Sequence, residues 1–515
     1  MSNAQNQMPN GNSSKTQRLE AVSDLVLIAG LMRPRTVIIP GGDREDDLRL
    51  VESARDHGIV DRCLLVGDET AIRKAASQVG INVAAEDILA TASPQETAQR
   101  TVECVQQGKA DVILKGNIST PILNRAMVRI AVRETMSLVT IFDAAPIRGG
   151  RPLIMTDAGV TTVCSFGRMV GLIENAVDVA RSVMALERPR VAVLSANEKY
   201  IESLPSTRMG RKLSEYPWDN AVVYGPLSFD LAVSEESVRL KGVPGKGAAL
   251  EVAGQADILV SPSLDAANIL YKVIGEMVKY GIGTFAGVAV GVAVPYVILS
   301  RGDNVETKLQ SIALSSIVSE RIDMRRRPRA TLVTVTAPIP RQGQPSVESL
   351  AAIASSAATI AERMSLPLKH TCYVVAHLAE ECTVAAVREG AIVDSEVVSC
   401  AEQAAVHALL GEIRKGLEAG NETSSRAAPP PPGPLPQGDR ENVSAGLRPL
   451  LDRIAKSIGA LCVPAGPDVE GILLCGELSR SELLVRGLRT RLAHILPVST
   501  VRLAASDKRG VKRET

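Results

Sequence analysis

The chain has 515 residues, and at roughly 150 residues per domain this length predicts about two to four domains. Hydrophobic residues make up 45% and charged residues 22%, a composition that excludes a disordered or fibrous protein for the bulk of the chain. The formal net charge is only +1 and aromatic residues make up 2%, which leaves little to attract or stack on a nucleic acid. We therefore expect neither a nucleic-acid nor a membrane partner.

The cysteines and histidines further limit the chemistry. The eight cysteines form no CxxC pair, which favours unpaired thiols in a reducing cytoplasm. Only His57 of the five histidines lies in the first 330 residues, so a zinc centre or a Ser-His-Asp triad is a poor hypothesis there. Residues 1–20 are mostly polar, lack the apolar core of a signal peptide and are predicted to be a disordered tail.

Residues 36–322 repeat one pattern, in which a β-branched run leads through a small polar turn into a helical segment. The predicted strands, in chain order, lie in TVIIPGGD, CLLVGDE, DVILKGNIST, PLIMTDAG, VAVLSANE, AVVYGPLS, DILVSPS and YVILSRGD. The predicted helices cover residues 46–57, 69–78, 121–132, 170–186 and 305–321. This alternation predicts an α/β fold with parallel sheets, whose ligands bind beyond the carboxyl ends of the strands.

Residues 281–300 carry no charge and resemble a membrane span in composition. Their dense glycines, Pro295 and the β-branched run that follows it favour two buried strands separated by a glycine turn.

The chain after residue 324 has a different organisation. RRRPR at residues 325–329 marks a boundary, and a second region is predicted over 330–418. The Pro-rich stretch 419–442 is predicted to be a linker or long loop. Residues 443–503 contain helix, strand, helix and strand patterns in that order, and 504–515 are predicted to be a solvated tail.

The turn after the strand Val112–Leu114 has the features of an anion site. Ser119 or Thr120 can cap the following helix, whose first N–H groups point toward a bound anion. Lys115 and Arg125 add positive charge. A capped helix with a surface arginine explains the same residues structurally.

The turn Ser300-Arg301-Gly302-Asp303-Asn304-Val305-Glu306 places a hydroxyl, a guanidinium and two carboxylates within seven residues. Arginine suits a planar oxyanion, and a carboxylate beside it can act as a general base. An Asp303 or Asn304 cap with an Arg–Glu surface pair is the structural alternative. A third turn, residues 261–272, carries Asn268, Tyr271 and Lys272 on its helix, where a helix-start role alone would equally account for Asn268.

Residues 20–322 resemble the phosphate acetyl/butyryltransferase family. The resemblance rests on ADVILKGNIST with Arg125, LIMTDAG, ENAVDVA, RVAVLSANE, GPLSFDLAVS, EVAGQADILVSPSLDAANILYK and VILSRGDNVETKLQSIAL. GPLSFDLAVS and the VAGQADILV segment are closer to the butyryl branch.

The resemblance implies two α/β domains facing each other across a cleft, similar to isocitrate and isopropylmalate dehydrogenases, with the second domain over about residues 155–285. It implies the reaction acyl-CoA + phosphate ⇌ acyl phosphate + CoA, with a homodimer or higher oligomer. It implies no bound cofactor or metal, and a separate acyl kinase is a conceivable partner.

Family residues carry over at matching positions. Ser300 and Arg301 match the Ser-Arg pair, and Arg125 matches a phosphate ligand. Lys115, Ser119 and Thr120 lie in the matching turn, and Asn268 and Lys272 match an Asn-Ile-x-Tyr-Lys block.

The general base departs from the pattern of the acetyl branch. The acetyl branch keeps an aspartate seven residues beyond the serine, where this chain has Thr307. Glu306 and Asp303 are the carboxylates left in this turn.

The C-terminal region resembles butyrate/acetate kinases, which have an actin-like ATPase fold, in TCYVVAHLAEECTVAAVREGAIVDSE and in the segment from residue 454 to 498. Ala379-Glu380-Glu381 stands where those kinases have a glycine triplet against the nucleotide phosphates, and Cys475-Gly476-Glu477 where they have a glycine pair. Carboxylates and side chains there predict a kinase remnant without phosphoryl transfer. The alternative for the whole chain is a non-catalytic acyl-CoA sensor or an interaction protein.

Overall fold

The computed structural model describes residues 19–133, 135–243, 245–298, 303–321, 346–364, 370–379, 382–398, 437–465, 469–492, 495–496 and 498–500. These residues fall into two compact units, divided near residue 327, with residues 165–167 grouped with the C-terminal unit. Ser300, Arg301 and the predicted strand after residue 330 lie outside the described residues.

Eleven strands and twelve α-helices precede residue 322 among the described residues. The strands are β1 Arg35–Pro40, β2 Val60–Gly67, β3 Ile88–Ala90, β4 Val112–Leu114, β5 Ser137–Phe142, β6 Leu153–Thr156, β7 Arg190–Leu194, β8 Val222–Leu227, β9 Ile258–Val260, β10 Phe285–Val290 and β11 Tyr296–Val297. The helices are α1 Asp24–Gly30, α2 Glu45–Asp56, α3 Glu69–Val79, α4 Pro94–Gln106, α5 Thr120–Met127, α6 Phe166–Val183, α7 Pro205–Glu215, α8 Phe229–Val233, α9 Glu235–Lys241, α10 Ala248–Val252, α11 Leu264–Lys279 and α12 Val305–Arg321.

All of these strands belong to one mixed sheet in the order β3-β2-β1-β4-β11-β10-β5-β6-β9-β7-β8. The strands β3, β2, β1, β4 and β11 are parallel, and so are β6, β9, β7 and β8. Between the two parallel sets, β10 is antiparallel to β11 and β5, and β5 is antiparallel to β6. The α/β prediction is confirmed, but the sheet is continuous and mixed rather than two parallel sheets.

The uncharged segment 281–300 forms the middle of this sheet. It contributes β10 and β11, joined by a turn that includes Gly291 at φ +99°, as the glycines and Pro295 predicted. Ala286, Val288 and Ala289 of β10 are fully buried, which explains the continuous apolar run. No helix among the described residues has both the length and the apolar character needed to span a membrane.

A buried ion-pair cluster holds the amino ends of β6, β7 and β9 together. The Asp257 carboxylate accepts hydrogen bonds from the guanidinium of Arg148 at 2.7 Å and from that of Arg190 at 2.9 Å. Burial raises the pKa of this carboxyl, but the hydrogen bonds from Arg190 and the charge of Arg148 outweigh burial and lower it overall. Asp257 therefore anchors three neighbouring strands.

The C-terminal unit has its own sheet and core. Its described elements are α13 Val347–Arg363, β12 Cys372–His377, β13 Cys382–Arg388, β14 Ala391–Val398, α14 Gln437–Ala465, β15 Gly471–Cys475, α15 Glu482–Leu492 and β16 Val498–Thr500. The strand order is β14-β13-β12-β15-β16. The strand β13 is antiparallel to both β12 and β14, whereas β15 and β16 run parallel to β12. The helix α14 begins at Gln437, within the stretch predicted to be a linker.

Candidate active site

Two turns meet where β1 and β4 end at the same edge of the sheet. The Asn117 N–H donates to the Gly41 carbonyl at 2.7 Å, and the Gly116 N–H donates to the Pro40 carbonyl at 3.2 Å. A Cβ on Gly116 would lie 2.2 Å from the Gly41 carbonyl oxygen, so only glycine fits at this crossing. The strand β11 ends at this edge too, since the Lys115 N–H donates to the Val297 carbonyl at 3.1 Å.

Charged side chains cluster at this edge. Asp47 on α2 is 4% exposed, and its carboxylate lies 3.8 Å from the Arg44 guanidinium. Burial raises the pKa of Asp47, while the nearby charges of Arg44, Lys308 and Lys115 partly oppose the rise. The charges of the predicted Lys115 and of Lys308 therefore both act on Asp47. The sequence did not identify Asp47 or Lys308 as part of the site, because these residues lie far apart in the chain and no local motif connects them.

The helix α5 carries three candidate residues. Ser119 occupies its N-cap position in an extended conformation, and its carbonyl accepts the N–H groups of Ile122 and Leu123 at 3.1 Å. The Ser119 hydroxyl makes no capping hydrogen bond, and Ser119 is exposed. Thr120 is the first helical residue, and Arg125 lies on the exposed surface of the same helix. Hydroxyls at a helix start are suited to binding an anion, whereas Arg125 lies in the last turn of this eight-residue helix.

The start of α12 is capped by Asn304. Its side-chain oxygen accepts the Thr307 N–H at 2.7 Å, which resolves the two alternatives for the cap in favour of Asn304. Asp303 accepts a hydrogen bond from the Tyr271 hydroxyl. Glu306 lies exposed on the first turn of α12, whereas Thr307 is 2% exposed. Asp303 is half-buried and Glu306 is exposed, so the two candidate carboxylates differ in access to solvent.

The helix α11 positions Asn268, Tyr271 and Lys272. The Asn268 side-chain amide donates to the Ala158 carbonyl at 2.9 Å, which ties α11 to the turn after β6. The Lys272 ammonium lies 5.1 Å from the centre of the Tyr271 ring, and that ring meets Phe285 edge-on at 5.3 Å. Burial raises the pKa of Tyr271, and the Asp303 charge adds to the rise, so the phenol stays protonated and remains a donor.

The turn after β6 is fixed by one buried carboxylate. Asp157 is 3% exposed and accepts the backbone N–H groups of Leu138, Gly159, Val160 and Thr161 at 2.7–3.2 Å. Burial raises its pKa, and the hydrogen bonds from Gly159, Leu138 and Thr161 oppose the rise. Asp157 thereby holds the Ala158 carbonyl that receives Asn268.

A cavity of about 60 Å³ lies between α11 and the start of α12. It is lined by Tyr271, Lys272, Gly275, Glu276, Val278, Lys279, Phe285, Asp303, Asn304 and Thr307. The cavity brings the predicted residues Lys272 and Asp303 together. It also includes Thr307, which stands at the position of the acetyl branch's aspartate. The sequence named Tyr271 on this helix, but it did not predict the hydrogen bond from Tyr271 to Asp303.

Comparison with known proteins identifies a family. Residues 90–316 match the family model described as phosphate acetyl/butaryl transferase. The phosphate butyryltransferase of Clostridium acetobutylicum is 31% identical over 309 residues, which cover 58% of this chain and 99% of that protein. The phosphate acetyltransferase of Thermotoga maritima is 37% identical over 232 residues, or 44% of this chain and 75% of that one.

Among solved structures, a branched-chain phosphotransacylase from Enterococcus faecalis matches with a TM-score of 0.47 and 28% identity. The match covers 56% of this chain and 99% of that one. Because the Clostridium acetobutylicum protein is matched over nearly its whole length, the chain belongs to the phosphate acetyl/butyryltransferase family.

Proposed function

We propose that the chain is a phosphate acyltransferase that converts a short-chain acyl-CoA and inorganic phosphate into an acyl phosphate and CoA, and the reverse. The observation that carries this proposal is the position of the candidate site residues. All of them, from Lys115 to Glu306, lie within the matched residues 90–316. A phosphate oxygen attacks the thioester carbonyl and the CoA thiolate leaves, so no oxidant or reductant is consumed.

Each candidate residue has a role in this proposal. Arg125 and Arg301 hold the phosphate, with Lys115, Ser119 and Thr120 at the start of α5. Ser300 and Arg301 stabilise the tetrahedral intermediate, and Asn268 and Lys272 bind CoA.

A carboxylate takes the thiol proton in the direction of acyl-CoA synthesis, and Asp303 and Glu306 are the two candidates. Glu306 is open to solvent, and Asp303 is held by the Tyr271 hydroxyl. The base is the residue whose substitution, Glu306→Gln or Asp303→Asn, abolishes the fall in rate at acidic pH, because protonation inactivates a carboxylate base.

The proposal is tested by measuring CoA thiol release from acetyl-, propionyl- and butyryl-CoA with and without phosphate. Arg301→Ala is expected to lower phosphate-dependent release by about a hundredfold or more. The matched control is Arg129→Ala, which removes an exposed arginine close to α5 and outside the candidate site. Acyl-CoA binding without any release would instead favour the non-catalytic sensor.

We propose that the region up to about residue 324 forms this acyltransferase domain and that residues 330–418 and 443–503 form an inactive actin-like remnant. The antiparallel β12, β13 and β14 beside the parallel β15 and β16 support an actin-like sheet. The ends of β12 and β15 are joined directly, since the Leu378 N–H donates to the Cys475 carbonyl at 2.8 Å and the Leu478 N–H to the Leu378 carbonyl at 3.0 Å. These N–H groups are therefore already used and do not point toward a nucleotide phosphate.

The kinase hypothesis is tested by incubating the protein with ATP and acetate or butyrate and measuring ADP. We expect no ADP formation above that of a boiled control, and sustained ADP formation that depends on acetate or butyrate would contradict the proposal.

We further propose a cytoplasmic homodimer or higher oligomer without a bound cofactor, whose acyl phosphate serves a separate acyl kinase. The seven described cysteines form no disulfide bonds, which supports a reducing compartment.

A further inference from the structure

One buried carboxylate is surrounded by cationic side chains at the edge of the sheet where β1, β4 and β11 end. Asp47, in the first turn of α2, is 4% exposed, and its carboxylate lies 3.8 Å from the Arg44 guanidinium. The charges of Lys115 and Lys308 also act on this carboxylate. Three cations from three separate segments of the chain therefore share one buried carboxylate.

The backbone brings these three segments together. The Asn117 side-chain amide donates to the Asp43 carboxylate at 3.2 Å, which ties the turn after β4 to the turn after β1. The helices α2 and α12 are in contact, and the Lys308 N–H donates to the Asn304 carbonyl at 3.2 Å in the first turn of α12. Ligands of α/β sheets bind at this kind of edge, beyond the carboxyl ends of parallel strands.

The Asp47 carboxylate is a weak partner for the cations around it. Its Oδ2 atom is buried and accepts no hydrogen bond from the part of the chain that the structure describes. Burying a charged oxygen without a hydrogen bond is costly, so the neighbouring cations are what compensates it. A phosphate offers the same cations more negative charge and several acceptor oxygens at once. Lys308 is only half-buried, so a ligand can reach its side chain.

We propose that Lys308 is a further phosphate-binding residue, and that Asp47 is the counter-ion which phosphate displaces from Lys308 and Lys115. The inference rests on the proposed acyltransferase function and extends its phosphate site from the start of α5 to α2 and α12. Lys308 contacts the phosphate directly. Asp47 acts through the two lysines and is therefore a positioning residue.

The two residues have opposite effects on phosphate binding under this proposal. Removing the charge of Lys308 removes an attraction and weakens phosphate binding. Removing the charge of Asp47 removes the anion that competes for the lysines, and strengthens phosphate binding. A purely structural role for Asp47 would give weaker or unchanged binding, so the direction of the change separates the two explanations.

The experiment measures kcat, the KM for phosphate and the KM for butyryl-CoA in phosphate-dependent CoA release by the full chain. Lys308→Gln is expected to raise the KM for phosphate by about tenfold or more, and Lys308→Arg, which keeps the charge, by less than about threefold. Asp47→Asn is expected to lower it by about threefold or more. The KM for butyryl-CoA should stay within about twofold in all three variants.

Matched controls alter exposed residues of the same types. Lys74→Gln on α3 and Asp46→Asn beside Asp47 should each change the KM for phosphate by less than about twofold, because solvent screens exposed charges.

A folded Lys308→Gln protein with an unchanged KM for phosphate would overturn the inference. A raised KM for butyryl-CoA instead would assign the lysine to the phosphates of CoA and would also overturn it. A higher KM for phosphate in Asp47→Asn would exclude the counter-ion role. If the unaltered protein releases no CoA, the acyltransferase proposal fails, and calorimetric titration with inorganic phosphate still decides: the inference requires the tightest binding in Asp47→Asn and the weakest in Lys308→Gln, and equal or undetectable binding in all variants would overturn it.

Discussion

Tyr271 shows how one buried hydroxyl contributes to the candidate site. Its ring packs on Phe285, and its hydroxyl donates to Asp303 beside the proposed Ser-Arg turn. Because Asp303 precedes the cap of α12, this hydrogen bond fixes the position at which that helix begins. Tyr271 is thus a positioning residue.

Tyr271→Phe is predicted to lower kcat/KM for phosphate-dependent CoA release by about tenfold, since a hydrogen bond to a charged group contributes about 1.5–3 kcal/mol. The ring packing on Phe285 is retained, so the thermal midpoint should change little. Tyr296→Phe is the matched control, because the Tyr296 ring is fully buried and its hydroxyl has no partner among the described residues. Equal effects of the two substitutions on kcat/KM would contradict this role.

Asp47 makes stability depend on pH. Its pKa is raised in the folded protein, chiefly by burial, so folding favours the protonated form. The associated stability is present below the ordinary aspartate pKa of about 3.9 and is lost as pH rises through the folded pKa. Asp47→Asn should remove that loss and increase the free energy of unfolding at pH 7 relative to the unaltered protein.

Denaturant unfolding at pH 4 and pH 7 measures this effect, with the exposed neighbour Asp46→Asn as the control. The increase in the free energy of unfolding that Asp47→Asn causes should be larger at pH 7 than at pH 4. A larger gain at pH 4 would show that the Arg44, Lys115 and Lys308 charges outweigh burial.

The local sequence identified some of these residues and not others. Lys115 and Asp303 belong to turns between a strand and a helix, where backbone chemistry alone marks a candidate site. The electrostatic interaction of Asp47 with Lys308 and the hydrogen bond from Tyr271 to Asp303 connect distant parts of the chain. No periodicity within either segment encodes such a contact.

At the level of elements, close approach between two turns shapes the edge of the sheet. Gly116→Ala would place its Cβ 2.2 Å from the Gly41 carbonyl oxygen. We predict a loss of about 1–3 kcal/mol in the free energy of unfolding and reduced acyltransferase activity. The control is Gly287→Ala in β10, whose Cβ would lie 3.4 Å from Leu138, and denaturant unfolding compares the two. Equal stability of both variants would contradict the steric explanation.

The Asp257 cluster is the strongest electrostatic anchor of the β6, β7 and β9 region. Asp257→Ala leaves the buried Arg148 guanidinium without its carboxylate, at a cost of about 3–5 kcal/mol. Glu215→Ala removes the exposed pair with Arg211 and should cost less than about 1 kcal/mol. Chemical denaturation measures both, and a cost for Asp257→Ala no greater than that for Glu215→Ala would exclude the anchoring role.

Most strands of the N-terminal unit were predicted, but β3, β5 and the antiparallel pairing at the centre of the sheet were not. The predicted helix 305–321 coincides with α12, because its start and length are encoded locally. The apolar run that forms β10 predicts a buried strand, but a continuous apolar run carries no information about parallel or antiparallel pairing. The mixed centre of the sheet therefore required the structure.

At the scale of the whole molecule, the acyltransferase features lie in the N-terminal unit. All eleven strands of the sheet lie within residues 35–297. A matched relative consists of little more than the segment that it shares with this chain. We predict that a fragment of residues 1–327 keeps phosphate-dependent activity within about threefold of the full chain, as expected for a domain with its own core. An unfolded or inactive fragment would show that the C-terminal unit is required.

The central claim is that phosphate, and not water, accepts the acyl group. The most direct measurement incubates the full chain with butyryl-CoA and phosphate, then traps acyl phosphate with hydroxylamine while thiol release is followed in parallel. We predict one acyl hydroxamate for each thiol released, and neither product without phosphate. Thiol release without hydroxamate would show hydrolysis of the thioester, and would contradict the acyltransferase assignment.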